Sequence, residues 1–183
     1  MHSRRTWTPA DIEALPEDER FELLNGEPLP LLPMVFGQMV AAGRLQRCLA
    51  AFVDAGCLGV VGSRGGFVLP GTEGKLLAPD SVFVARERLP KRATWEGFLP
   101  IAPDLAVDVL APGDTVSELN GKALAYLDAG VRAVWIVDPR RRIVPVHTPD
   151  GLARVLREGD ELTGGDVVPG FAMAVAELFA WDD

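Results

Sequence analysis

The run DLAVDVLA, residues 104–111, constrains this chain more than any other stretch, because it reads as a buried β-strand with an aspartate inside it. Aspartate is depleted in strands and is almost never fully buried alone, so a core strand containing Asp108 must fold beside something that balances its charge. Alternation puts residues 104, 106, 108 and 110 on one face, so Asp108 projects from the side that otherwise carries Ala106 and Leu110. A second carboxylate, Asp80, opens the apolar run APDSVFV (78–84), and the helix expected after Asp108 carries Lys122. Together these residues predict a cation site.

Composition limits what that site can serve. At 183 residues, 48% hydrophobic and 24% charged, the chain suits a single domain, 1–183, with a sizeable core. No apolar run approaches the ~18 residues that span a bilayer, and the start lacks the apolar stretch and cleavage site of a secretory signal, so a cytoplasmic protein with no membrane partner is expected. The two cysteines, Cys48 and Cys57, form no CxxC pair, and His2 lies far in sequence from His147, which argues against a Cys/His zinc site. A metal here would need oxygen ligands, which points to magnesium or manganese. With 18 Lys+Arg against 26 Asp+Glu the net charge is −8, which excludes a protein that simply coats nucleic acid unless its basic residues segregate on one face. Arg86, Arg88, Lys91 and Arg92 cluster after the Asp80 strand, and Arg140, Arg141 and Arg142 after another, although such runs are more often solvated turns.

Local signals order the elements. Thr8, Pro9 and Asp11 mark a short opening helix. In FELLNGEPLPLL (21–32), Asn25-Gly26 supplies a hairpin turn, and Pro28 and Pro30 confine the second strand to an edge. From Gln38 to Asp54, Val40, Leu45, Leu49, Phe52 and Val53 recur at helical spacing. Short β runs follow near 60 and 67, then APDSVFV and DLAVDVLA. Thr115 and Glu118 form the capping box of a helix that should end near Ala129, before Gly130. AVWIV (133–137) reads as a buried strand, IVPVHT and LARVLR as a hairpin, and VAELFAW as a short terminal helix.

The helix after Asp108 has an apolar face of Val116, Leu119, Ala123, Tyr126 and Leu127, with Lys122 on its border. A lysine there can lay its stem on the core and bring its ammonium over the sheet, toward Asp80 and Asp108. Two carboxylates with a lysine suit phosphodiester hydrolysis: the carboxylates hold a divalent ion, and the lysine orients water or offsets charge in the transition state.

At these residues the chain resembles the Uma family of restriction endonucleases, a bacterial group within the PD-(D/E)XK nuclease superfamily. The resemblance rests on FELLNGE (21–27), APDSVFV, PDLAVDVLAPGD (103–114), the Lys122 helix ending in YLDAGV, VWIVDP (134–139) and GGDVVPGF (164–171), and covers nearly the whole chain. It implies an α/β (α+β) restriction-endonuclease-like core, a central mixed β-sheet flanked by helices, with N-terminal and C-terminal β-hairpin additions. It also implies that Asp80 is the aspartate of the PD half-motif, that Asp108 is the second acidic ligand of Mg2+ or Mn2+, and that Lys122 replaces the lysine the superfamily motif places where Leu110 stands. Glu22 matches a further acidic residue of the site. Glu27 also matches, but its place after the hairpin turn suggests a surface role. Two departures stand out: Asp108 where the family commonly has glutamate, and Gln38 where it often has histidine. An amide can hydrogen-bond substrate but cannot act as a base near neutral pH.

Blander readings accompany each residue. Asp80 alone could be a turn residue, Asp108 a buried ion-pair partner, Lys122 a snorkelling lysine and Glu22 an outward edge residue. Asp114 and Asp138 read as turn residues, and Trp135 and Tyr126 as core. The leading expectation is a metal-dependent endonuclease acting on DNA through Asp80, Asp108, Lys122 and Glu22, with Gln38, Arg86 and Arg88 as candidate substrate contacts. The alternatives are a catalytically weak or inactive nuclease-fold interaction module and a hydrolase of a small phosphodiester; a wide arginine-lined groove would favour a polymer substrate over a small one. A homodimer is expected by analogy with nucleases that cut both strands of a duplex.

Overall fold

The computed structural model describes residues 6–31, 33–71, 74–91 and 96–180. Helix α1 (Pro9–Glu13) is held by a reciprocal capping box between Thr8 and Asp11. Asn25 (φ 56°) and Gly26 (φ 76°) then turn β1 (Glu22–Leu24) antiparallel onto β2 (Glu27–Leu29). Both angles are the positive ones a two-residue hairpin demands, and β2 stays at a sheet edge where the missing N–H of Pro28 is tolerated.

Helix α2 (Phe36–Ala55) begins two residues before the expected start and buries Gln38, Ala41, Leu45, Leu49 and Val53 along one stripe. Five strands follow: β3 (Gly59–Gly62), β4 (Phe67–Val68), β5 (Leu76–Leu77), β6 (Ser81–Ala85) and β7 (Leu105–Val109). Thr115 caps α3 (Val116–Asp128), with Glu118 returning the bond. Beyond it lie β8 (Ala133–Val137), the hairpin of β9 (Ile143–His147) and β10 (Ala153–Arg157), the short pair β11 (Glu161–Thr163) and β12 (Ala172–Ala174), and α4 (Val175–Phe179).

The central sheet has six strands in the order β10-β9-β8-β7-β6-β3. Among the described residues of this sheet, β7 and β8 alone pair in parallel, joined by the crossover helix α3; the other pairs are antiparallel. Every residue of β6, β7 and β8 is buried, as expected of strands covered on both faces. Leu105, Val107 and Val109 face the core shared with α2 and α4, whereas Ala106 and Leu110 face the core built with Ala123 and Tyr126 of α3. Asp108 therefore points at α3, as alternation required.

The C-terminal hairpin extends the central sheet rather than standing apart, because β9 registers on β8 at Val134 with His147 and Trp135 with Val146. The N-terminal hairpin joins a smaller sheet, β2-β1-β5-β4. Strands β5, β11 and β12 carry too few residues for periodicity to reveal and exist only through their partners. His2 and Arg92, and the Val116 side chain, lie outside the described residues. Among the described residues no helix is long and apolar enough to cross a membrane.

Candidate active site

One margin of the central sheet gathers the polar residues. Asp80, just before β6, accepts a hydrogen bond at Oδ2 from the Val109 N–H (2.8 Å), which ties the start of β6 to the end of β7. Asp108 sits next to that bond on the α3 side. From α3, Lys122 reaches back so that its Nζ lies 2.6 Å from Glu22 Oε2 and 3.9 Å from Asp108 Oδ2. The other oxygen of Glu22 accepts from the Ala78 N–H (2.7 Å), two residues before Asp80. Glu22, on β1, thereby fixes both the lysine and the backbone entering the Asp80 turn.

Gln38, in the first turn of α2, is buried and structurally engaged. Its Oε1 accepts from the Val35 N–H (2.8 Å) and its Nε2 donates to the Val109 carbonyl (3.3 Å). Glu22, Gln38, Asp80, Asp108 and Lys122 all line one cleft of about 240 Å³, with Asp114, Glu118 and Arg64 at its mouth.

Burial dominates the electrostatics. It pushes the Asp80 carboxyl up to about 6, helped by the charge of Asp108 and opposed by the Val109 N–H, Arg64 and Lys122. Asp108 also rises to about 6, chiefly through burial, with Lys122 restraining the shift and Glu22 adding to it. Burial alone would lower the Lys122 ammonium, but Asp108 and Glu22 together outweigh it and hold the pKa well above the ordinary lysine value. Burial, then the surrounding carboxylates, push the Tyr126 phenol far up as well. Its hydroxyl lies beside Asp108, yet both that hydroxyl and Asp108 Oδ2 are buried without a contact of hydrogen-bond geometry.

These features fit a hard cation. A buried anionic oxygen lacking a hydrogen bond, beside a second carboxylate whose charge it repels, is stabilised by a divalent ion at that point. Among the described residues no group of three His, Cys, Asp or Glu side chains stands arranged around one point. Asp80 and Asp108 would be the protein ligands, with water completing the shell, which is how magnesium is commonly held.

Arg86 and Arg88 do not reach the cleft. Arg88 donates to Asp104 Oδ1 (2.7 Å) and to the Ala102 carbonyl (2.9 Å), at the opposite end of β7 from Asp108. Asp104 is fully buried and also accepts from the Ala85 N–H (2.8 Å), so Arg88 neutralises a structural carboxylate. Arg86 is exposed on the turn after β6. Arg88→Ala should lower the unfolding free energy by about 2 kcal/mol in urea titrations, with turnover by the remaining folded protein unchanged. Undiminished stability would return Arg88 to the pool of candidate substrate contacts.

Arg64 is the cleft residue that sequence reading passed over. It lies in Ser63-Arg64-Gly65-Gly66 with φ 52°, and its Nε is 3.5 Å from Asp80 Oδ1. A lone arginine among glycines between two β runs was the available signal. Asp114 and Asp138 accept backbone N–H bonds within their own turns, from Ala111 and from Arg140 and Arg141, as turn residues do. Trp135 and Tyr126 are core residues, and Glu27 is exposed.

The mixed central sheet with its parallel pair joined by a crossover helix belongs to the restriction-endonuclease-like class of folds. The chain belongs to the Uma2 family, described as "Putative restriction endonuclease", whose model matches residues 9–176. It is also similar to a solved structure described as "a putative nuclease belonging to DUF820" from Anabaena variabilis ATCC 29413, with a TM-score of 0.83 and 18% identity over 94% of this chain and 97% of that one. At that identity the likeness is one of fold. No curated protein matches the chain.

Proposed function

We propose that this protein is a metal-dependent endonuclease that hydrolyses DNA phosphodiester bonds at the cleft formed by Glu22, Asp80, Asp108 and Lys122. The observation that carries this reading is the convergence of Asp80 and Asp108, both with raised pKa values, with the Lys122 ammonium in one cleft. Asp80 and Asp108 would hold a magnesium or manganese ion, which would supply Lewis acidity toward the phosphoryl oxygen and a bound water of lowered pKa.

The remaining roles belong to the chain itself. Lys122 is protonated throughout the neutral range, so it serves as a fixed positive charge and hydrogen-bond donor and not as a base. Glu22 positions that charge 2.6 Å from its own carboxylate, and the bond from Ala78 keeps Glu22 from turning away. In this position Lys122 offsets the negative charge that builds on the phosphoryl group as the bond to the leaving oxygen breaks. Gln38 supports the centre by binding the Val109 carbonyl, so glutamine in place of histidine leaves the carboxylate–lysine set intact.

Calorimetric titration with magnesium and with manganese, on the wild type and on Asp108→Ala, tests the reading, followed by cleavage of plasmid and single-stranded DNA in the same samples. Binding by the wild type, loss of that binding in Asp108→Ala, and cation-dependent cutting are expected. No binding at millimolar cation together with intact DNA would replace the nuclease reading with that of an interaction module on the same fold.

A further inference from the structure

The proposed catalytic cleft adjoins a second, larger groove of about 650 Å³, and the two share Ala111, Asp114 and Leu119. Helix α3 covers β7 and β8 but leaves part of the β9–β10 sheet face bare, so the groove has apolar walls from Ile136, Ile143, Pro145 and Val155. Arg140 and Arg141 stand on the same groove, in the turn between β8 and β9. Asp138 fixes that turn: its Oδ1 accepts from both arginine backbone N–H groups (3.0 Å each), and its Oδ2 accepts from Arg141 Nη1 (3.2 Å). The Arg141 side chain is still 67% exposed, and Arg140 makes no ion pair among the described residues.

Topology lines these charges up. Strand β3 runs parallel to β7 and β8, and β6 runs against them, so the end of β3, the start of β6 and the ends of β7 and β8 lie along one margin of the sheet. Along that margin the order is Arg64, Asp80, Asp108, then Arg140 and Arg141. Three strand spacings of about 4.8 Å place the outer cations about 14 Å apart with the carboxylates between them. In a chain of net charge −8, this arrangement puts cations on both sides of the carboxylate centre, where a phosphate backbone crossing that centre would meet them.

We propose that this margin and groove form a binding track for single-stranded DNA: Arg64 on one side and Arg140 with Arg141 on the other hold phosphates flanking the scissile one, and unpaired bases lie against the apolar walls. This rests on the nuclease reading above and adds the substrate class to it. Phosphates supply the charge complement of the arginines, and unpaired bases, unlike a closed duplex, present faces that an apolar wall can cover.

The test compares the wild type with the double variant Arg140→Gln/Arg141→Gln, which keeps the backbone N–H bonds to Asp138. Binding of a fluorescently labelled oligonucleotide, single-stranded or duplex, is read by anisotropy in calcium across a salt series, and hydrolysis of bis(p-nitrophenyl) phosphate is measured separately with magnesium or manganese. The wild type should prefer the single strand. The variant should bind it about tenfold more weakly at low salt, with the slope of log affinity on log salt shallower by about 1.4, as two lost phosphate contacts require. Hydrolysis of the small diester should be unchanged. Unchanged oligonucleotide affinity and slope in the variant, or a wild type that prefers duplex, would overturn the track while leaving the nuclease reading in place. A wild type that neither binds oligonucleotide nor hydrolyses the small diester would sink both.

Discussion

Asp108→Asn is expected to reduce phosphodiester cleavage about a thousandfold, the loss typical of removing one electrostatic element from a preorganised centre, and to make the cation-free protein more stable at neutral pH. The stability gain follows from linkage. A carboxyl whose pKa rises from 3.8 unfolded to about 6 folded holds its proton more tightly in the native state. Folding stability therefore falls as the pH climbs through that interval, and the loss persists above it. An amide has no such penalty, and it can hydrogen-bond the Tyr126 hydroxyl beside it. Lys122 keeps its partner Glu22 at 2.6 Å. The variant should exceed the wild type by about 2 kcal/mol at pH 7.5, allowing for coupling among the carboxylates, with the gap closing toward pH 4. Urea unfolding in EDTA across this range measures it. Added magnesium should stabilise the wild type and leave the variant unchanged, since only a native state that binds the ion gains from it. A variant less stable than the wild type at pH 7.5 would mean that Asp108 is satisfied by the protein alone.

Lys122→Met should have the opposite effect on stability. Glu22 is buried, and without the ammonium its one remaining bond among the described residues is that from Ala78. Leaving one member of a buried pair uncompensated costs about 3 kcal/mol here, at the low end because the Lys122 side chain is 21% exposed. In a chain of this size that lowers the melting temperature by about 6–12 °C. Cleavage should fall about a hundredfold or more through loss of the positive charge at the phosphate. Adding Glu22→Gln removes the stranded charge and should restore most of the stability without restoring cleavage. Full activity in a folded Lys122→Met protein would assign Lys122 a purely structural role.

Much of the framework was legible locally. Asn25-Gly26 could only be a tight turn, and the capping box at Thr115 and Glu118 marked the start of α3 within one residue. Alternation in residues 104–110 put Asp108 on the face that α3 covers, and helical spacing put Lys122 at the border of the apolar stripe. The arginines were the least legible. Arg88 and Arg140 look alike in sequence, each in a basic run after an apolar strand. Whether a guanidinium serves the fold or faces a groove depends on what lies across from it, and Arg88 meets buried Asp104, whereas Arg140 stands beside the groove next to the cleft of Asp80 and Asp108.

The chain by itself determined which residues carry charge into the core and which faces they occupy, because periodicity and turn chemistry act over a few neighbouring residues. Only the tertiary structure decided their partners. It brought Glu22 from the N-terminal hairpin to Lys122, moved Arg64 to the mouth of the cleft, made Gln38 a brace for Val109, and joined the β9–β10 hairpin to the central sheet. Those contacts link residues far apart in the chain, and their energies depend on burial and dielectric surroundings that exist only after the layers have packed.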